Sequence, residues 1–330
     1  MYHVGLVYTE TKPLTEEELK RDPHGAKQMS ETVKAIEAAL KSNGHRVTLI
    51  PASIHMLTDI NKIGDIDVIY NACTGINNKK QQANVVAMLE LLNIPFVGSN
   101  LSAQISGLHK AIAKRIFRAV GVPITNFQVF MTGEEKLDKS LKFPLIVKPE
   151  HEGSSLGITG DSVVYNEKDL YKRVKYVIEE YNQYALVEEF VTGREFTIGV
   201  LGTTKPQVLP ILEIKFTEKT NEKFQTLDIK VADCYDKECP AKLSKEKTEE
   251  IKEYALKAYN ALNCTEFARI DVRMDEDENP YFIEINTLPG MQPNYSDFPI
   301  TAKAAGFEYN ELIEELLQQA IIGAKEKVKK

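Results

Sequence analysis

No apolar run in this 330-residue chain approaches the ~20 residues that a membrane-spanning helix requires. The opening M-Y-H-V-G-L-V-Y-T has no basic leader and only a short apolar stretch, so a secretory signal is not expected. Cysteine is sparse. Of Cys73, Cys234, Cys239 and Cys264, only Cys234 and Cys239 lie close together, as C-Y-D-K-E-C. That is not a zinc spacing, and no second pair completes a tetrahedral site. Free thiols in a reducing, cytoplasmic compartment are the expectation. Basic residues are outnumbered, 41 against 48 acidic, for a net charge of −7. The balance argues against nucleic acid as a primary partner and leaves room for a local basic pocket. Two nucleotide fingerprints are missing. No G-x-G-x-x-G follows the first strand, which argues against a dehydrogenase, and there is no G-x-x-x-x-G-K-[ST].

What the chain does have is length enough for two or three domains. Residues 2–8, 45–51 and 67–72 read as buried strands, with a strand around Pro95. Helices are expected over 24–42, where Ala26, Met29, Val33, Ile36 and Leu40 share a face, and over 82–92. Strands alternating with helices predict a parallel sheet in an α/β domain ending near Ser102. A basic helix follows over 108–121. Lys110, Lys114, Arg115 and Arg118 would ordinarily read as its solvated face, a reading kept for all but Lys110.

Next, F-P-L-I-V-K-P ends a strand at Lys148. The loop E-H-E-G-S-S-L-G-I-T follows, with Gly153, Ser154, Ser155 and Gly157. Small residues carrying backbone N–H groups and hydroxyls suit a phosphate. The bland alternative is an ordinary strand connection. A helix over 167–181 and a strand over 185–190 close a small α+β unit. Beyond a strand carrying Glu195, residues 215–240 are polar and aromatic without regular periodicity, which predicts a lid or binding loop. Ser244 is the expected N-cap of a helix reaching Asn263. A last helix buries Leu312, Ile313, Leu316, Leu317, Ala320 and Ile321.

The stretch 267–290 carries the chemistry: F-A-R-I-D-V-R-M, the acidic turn D-E-D-E-N-P, then Y-F-I-E-I-N-T-L-P-G. It reads as a β-hairpin. Period-two alternation puts Ala268, Ile270 and Val272 on one face and Arg269, Asp271 and Arg273 on the other. In the second strand Tyr281, Ile283 and Ile285 oppose Phe282, Glu284 and Asn286. A hairpin symmetric about its turn sets Asp271 opposite Glu284 and Arg269 opposite Asn286. Facing carboxylates repel. A hard cation held by oxygen ligands would offset that. The competing reading is a solvated acidic face. Arg269 beside the acids, and T-L-P-G-M directly after, favour the cation site.

These blocks carry a resemblance. I-V-K-P-E-H-E-G-S-S-L-G-I, V-E-E-F-V-T-G-R-E-F-T-I, A-R-I-D-V-R-M and F-I-E-I-N-T-L-P-G-M resemble the ATP-grasp carboxylate–amine ligases, specifically the D-alanine–D-alanine ligase family. F-V-G-S-N-L-S-A-Q-I-S-G-L-H-K-A-I-A-K and A-A-G-F-E-Y-N-E-L-I extend the likeness over roughly residues 90 to 320. The resemblance implies a three-domain α/β architecture: a parallel-sheet domain over 1–104, then two α+β domains, 105–190 and 191–330, clasping ATP. It implies that Lys110 and Lys148 meet the ATP phosphates and adenine edge, and that Ser154 and Ser155 close over the phosphates. Glu188, Glu189 and Val191 would line the adenine hinge, Glu195 would hold the ribose, and Lys230 would reach the terminal phosphate. Asp271, Glu284 and Asn286 would bind Mg²⁺, with Mn²⁺ as a substitute. Arg269 and the backbone at Gly290 would stabilise the oxyanion. Small amino-acid-like substrates, no nucleic acid and no membrane partner are implied, with a homodimer through the first domain by analogy.

The implied reaction makes an acyl phosphate from a carboxylate and ATP, then transfers the acyl group to an amine. A nucleotide-binding regulatory module without turnover is the alternative from a different class. Arg269, Asp271, Glu284 and Asn286 together speak against it. The chain also departs from the family pattern. No glutamate stands where an E-H-x-V-S block would supply one for the first substrate's ammonium. An H-G-x-x-G-E-D-G turn is replaced by C-T-G-I-N-N-K-K-Q-Q, the tyrosine after Lys230 by Val231, and the small residue after P-G-M by Asn294, Tyr295 and Ser296. D-alanine alone is therefore expected to be a poor substrate.

Overall fold

The computed structural model describes residues 1–10, 25–76, 81–218, 220, 224–232 and 234–328. The readings that fall on 11–24 and 77–80, including the middle of the replaced turn C-T-G-I-N-N-K-K-Q-Q, lie outside the described residues.

Three sheets organise these residues. In the first, β1 (His3–Tyr8), β2 (Arg46–Pro51), β3 (Val68–Ala72) and β4 (Phe96–Val97) pair in parallel in the order β2-β1-β3-β4. Val4, Leu6, Val7, Val68 and Ile69 are fully buried, as expected where helices cover both faces of a parallel sheet. α1 (Gly25–Ser42) buries Val33, Ile36 and Leu40. Gly44, at φ +83°, supplies the left-handed turn after it. α2 (Met56–Ile63) was not anticipated; it buries only Met56 and Ile60, too few positions to register a period. α3 (Gln82–Glu90) matches expectation.

The basic helix expected over 108–121 is preceded by a second helix that was not anticipated. α4 (Leu101–Leu108) starts at Asn100, whose side chain accepts from the Ala103 N–H, and α5 (Lys110–Ala119) begins after His109. His109 is extended at φ −85°, ψ 97°, so the chain turns there. The second sheet is antiparallel: β5 (Phe127–Phe130), β6 (Leu145–Pro149), β7 (Val163–Val164) and β8 (Ala185–Glu189), in the order β5-β8-β6-β7. α6 (Glu167–Tyr181) covers it with Leu170, Val174 and Val177.

The third sheet is also antiparallel. β9 (Arg194–Leu201), β10 (Gln207–Val208), β11 (Leu212–Phe216), β12 (Tyr235–Glu238), β13 (Phe267–Met274) and β14 (Pro280–Asn286) run β12-β11-β9-β13-β14, with β10 beside β9. The stretch 215–240 therefore differs from the irregular loop expected. Its ends pair as β11 and β12, with Phe216 opposite Tyr235, and it holds the short helix α7 (Leu227–Val231). Its polarity is that of an edge strand, where charged side chains meet water. α8 (Lys245–Ala261) starts at Ser244, which accepts from the Lys247 N–H, as predicted.

α9 (Asp297–Ala304), also unanticipated, and α10 (Tyr309–Val328) end the described chain. The α10 stripe of Leu312, Ile313, Leu316, Leu317, Ala320 and Ile321 is buried as expected. It packs in one core with Val4, Leu6, Ile36 and Tyr70 of the first sheet and its helix. The last helix thus closes a face of the first sheet.

Candidate active site

The β13–β14 hairpin sets the geometry. Asp271 lies opposite Glu284 and Arg269 opposite Asn286, the register expected from a symmetric turn. The alternation of β14 differs from expectation. Val272 pairs with Phe282, so Ile283 is the extra residue of a bulge between two registers. Phe282 and Ile285 consequently both enter the core, and Ile283 turns to the cleft beside Glu284.

Arg269 grips Asp271 through Nε at 3.0 Å and an Nη at 2.8 Å. Thr197, opposite Asp271 on β9, donates at 2.8 Å to Oδ1, the oxygen that Arg269 Nε also meets. Asn286 donates to Asp271 and to Glu284, each at 3.2 Å. Lys110, at the start of α5, lies 3.3 Å from Glu284 and also donates to the Glu152 carbonyl on the Gly-Ser loop. It therefore stands between the acids and that loop. Burial pushes Asp271 up, and Glu284 beside it adds to the rise despite Arg269. Burial would also raise Glu284, but Lys110, Lys148 and Arg269 outweigh it and hold that carboxyl well below the usual range. One acid is thus a firm anion and its neighbour is easier to protonate.

A cleft with about 860 Å³ of empty space opens over this face, between the second and third sheets. It is lined by Lys110, Lys148, Ser154, Ser155, Glu188, Glu189, Val191, Glu195, Lys230, Arg269, Asp271 and Glu284. Phe190 and Phe224 meet edge to face at 5.2 Å among its walls. Ser154 and Ser155 hold φ of 56° and 59°, a left-handed turn closed by the Leu156 N–H donating to the Gly153 carbonyl at 3.0 Å. Of the predicted site residues, Asn286 and Gly290 are not in the cleft wall. Asn286 touches both acids, and Gly290 lies on the following loop, where an added Cβ would stand 2.8 Å from Ser296 Oγ.

Glu188 behaves differently from a hinge residue on a surface. It is 1% exposed, with Lys148 paired to one oxygen and Lys114 2.6 Å from the other. Thr125 donates to it at 3.0 Å. Burial alone would raise its pKa, yet the two lysines hold it at about 2. Lys114 is fully buried, so the solvated reading given to it is wrong; Arg115 and Arg118 on the same helix are exposed. Three further residues were missed. Arg273 pairs with Glu195 at 2.6 Å and donates to the Val191 carbonyl at 2.7 Å, fixing the cleft's far wall. Its place on the Arg269–Asp271 face was a usable signal. Asp297 pairs with Lys237 at 2.7 Å and faces Arg269 at 3.8 Å, and no sequence pattern marked it. Thr197 needed the β9–β13 register. Lys230 sits on α7, and burial, with Arg269 nearby, lowers its pKa.

Such an arrangement can offset a polyphosphate with lysines, hold a hard cation on facing carboxylates, and meet a developing oxyanion with Arg269. Comparisons with known proteins agree with it. The family model described as D-ala D-ala ligase C-terminus matches residues 116–318. A D-alanine–D-alanine ligase of Carboxydothermus hydrogenoformans is 33% identical over 88% of this chain and 93% of its own. The uncharacterised protein y4sG of Sinorhizobium fredii is 31% identical over 87% and 86%. The crystal structure of the Bacillus anthracis D-alanine–D-alanine ligase complexed with ATP superposes with a TM-score of 0.78 at 26% identity, covering 99% of this chain and 100% of that one. This chain belongs to the D-alanine–D-alanine ligase family.

Proposed function

We propose that the protein is an ATP-dependent, ADP-forming carboxylate–amine ligase that joins two amino acids, or close analogues, through an acyl phosphate. The carrying observation is the face-to-face pair Asp271 and Glu284, flanked by Arg269 and Asn286, beneath a cleft lined by Lys110, Lys148 and Lys230. Mere nucleotide storage does not require an arginine beside the acids. The donor set of two carboxylates and an amide, all hard oxygen-bearing groups, fits Mg²⁺. When bound, that ion would neutralise charge on the transferred phosphoryl group.

The chain's own residues supply the rest. A substrate carboxylate attacks the γ-phosphorus, the β–γ bridging bond breaks, and ADP leaves. Lys110, Lys148 and Lys230 offset charge on the transferred group. The amine then attacks the acyl carbon, Arg269 meets the tetrahedral oxyanion, and phosphate departs with the C–O electron pair. Water would hydrolyse the acyl phosphate, and the Gly-Ser loop with the segment around α7 is the cover that excludes it. Three lobes, 1–104, 105–190 and 191–330, are the proposed units. One sheet in each supports the division, with α10 returning to the first.

Within the family, an acid or amine other than D-alanine is the second reading. Beyond the L-P-G-M loop, Lys237 donates to the Tyr295 carbonyl at 2.6 Å and Gln28 donates to the Tyr295 hydroxyl at 2.8 Å. Gln292 donates to Glu31 at 2.5 Å. Charged and aromatic groups occupy a wall where the family pattern has small ones. A phosphate-release screen over D- and L-amino acids, singly and in pairs, with mass spectrometry of products, tests both readings. Amino-acid-dependent phosphate release is expected. Binding of ATP without release under any pair would sink the ligase, and brisk D-alanyl-D-alanine formation would sink the second reading.

A further inference from the structure

Two of the chain's six histidines have no part in the cleft chemistry, yet the fold brings them together. His109 is the extended residue between α4 and α5. His151 follows Glu150 in the turn after β6. Both imidazoles aim Nδ1 at the same oxygen, Glu150 Oε2, at 2.7 Å and 3.2 Å. The rings lie 5.0 Å apart, tilted by 41°. Glu150 is 4% exposed, and its second oxygen accepts the Ala111 N–H at 3.1 Å, which fixes the carboxylate's orientation. One ligand atom from each residue lies within 4.8 Å of the others, the only such His/Cys/Asp/Glu group among the described residues.

With protons alone, each Nδ1 would carry one and both would donate to the same oxygen, whose two lone pairs can accept them. A divalent ion meets all three groups through lone pairs. We propose that His109, Glu150 and His151 form a site for a first-row transition dication such as Zn²⁺ or Co²⁺, distinct from the oxygen-lined hairpin site. Two imidazoles and a carboxylate suit those ions and not Mg²⁺. Metal–ligand bonds of ~2.0–2.1 Å in tetrahedral geometry separate ligand atoms by roughly 3.3 Å. Relative to 2.7 Å and 3.2 Å, the two contacts open by roughly 0.6 Å and roughly 0.1 Å. The remaining coordination position faces outward, since His109 and His151 are only half-buried.

The location gives the ion a lever on the cleft. Lys110 follows His109 directly, its N–H donates to the Glu150 carbonyl at 3.3 Å, and its side chain reaches Glu152 and Glu284. An ion here clamps the start of α5 to the root of the Gly-Ser loop. Neither binding nor its test depends on the ligase reading. The full chain, stripped of metal and held in excess Mg²⁺, is titrated with Co²⁺ and followed by visible absorption, with X-ray absorption on the wild type to count imidazoles. One equivalent of Co²⁺ with two imidazole ligands is expected, and His109→Ala or His151→Ala weakens it by about tenfold or more. Glu284→Gln leaves it unchanged. Should either alanine variant fail to fold, His151→Asn and the wild-type X-ray spectrum decide. No Co²⁺ uptake, uptake without imidazole ligation, or uptake indifferent to both histidine changes overturns the site.

Discussion

Glu188 sits in the dry wall between two lysines, and its ionisation is what makes both tolerable. Breaking a buried pair costs roughly 3–5 kcal/mol where a charge is left uncompensated, and less here, because Lys148 still pairs with Glu188 when Lys114 is lost. Lys114→Met should still lower the urea midpoint, although Lys114 does not itself line the cleft. The sign with pH follows from the depressed carboxyl. Its contribution is present above the unfolded value of 4.5 and is lost as pH falls toward about 2. The stability gap between wild type and Lys114→Met should narrow over that window; parallel curves would contradict the pairing. Lys114 shows where sequence reading stops. It differs from Arg115 and Arg118 only by facing a carboxylate on a distant strand, and nothing local records that partner. Lys148 was marked by the Gly-Ser loop directly after it, whereas Lys110 and Lys230 were marked only by the family resemblance.

At the scale of elements, the hairpin register could be read from the sequence because a short acidic turn fixes which residues face each other. The bulge at Ile283 could not, since one extra residue leaves no mark on an apolar strand. It matters, because it lets Phe282 and Ile285 both pack inward while Glu284 keeps its place. The approach of β9 to this hairpin depends on Gly193. At φ +129°, it brings a would-be Cβ within 2.2 Å of the Met274 carbonyl. Its own carbonyl and that of Val191 accept from Arg273. Gly193→Ala should cost more than ~1 kcal/mol. A lowered melting temperature together with weaker ATP binding is expected, and a neutral melt would contradict the geometry. α2, α4 and α9 escaped the sequence reading because each has eight residues and few buried positions.

At the scale of the molecule, α10 joins the two ends of the chain. Its apolar stripe shares a core with β1, α1 and β3, so the first and third sheets are packed through it. Calorimetry should show these regions melting in one transition, and deletion of 309–328 should leave the first sheet's face bare and the protein aggregated. A separate early transition for the first sheet, or a well-folded truncation, would contradict that coupling. A helical stripe in sequence says that a face is buried, not against what, so this docking was not legible. The account rests finally on the facing acids of the hairpin being a magnesium-nucleotide site. Titration calorimetry of ATP, with and without Mg²⁺, against wild type and a folded Glu284→Gln variant tests that directly. The account predicts Mg²⁺-dependent ATP binding in the wild type and a loss of about tenfold or more in the variant. ATP binding that ignores Mg²⁺, or that is untouched by Glu284→Gln, would contradict it.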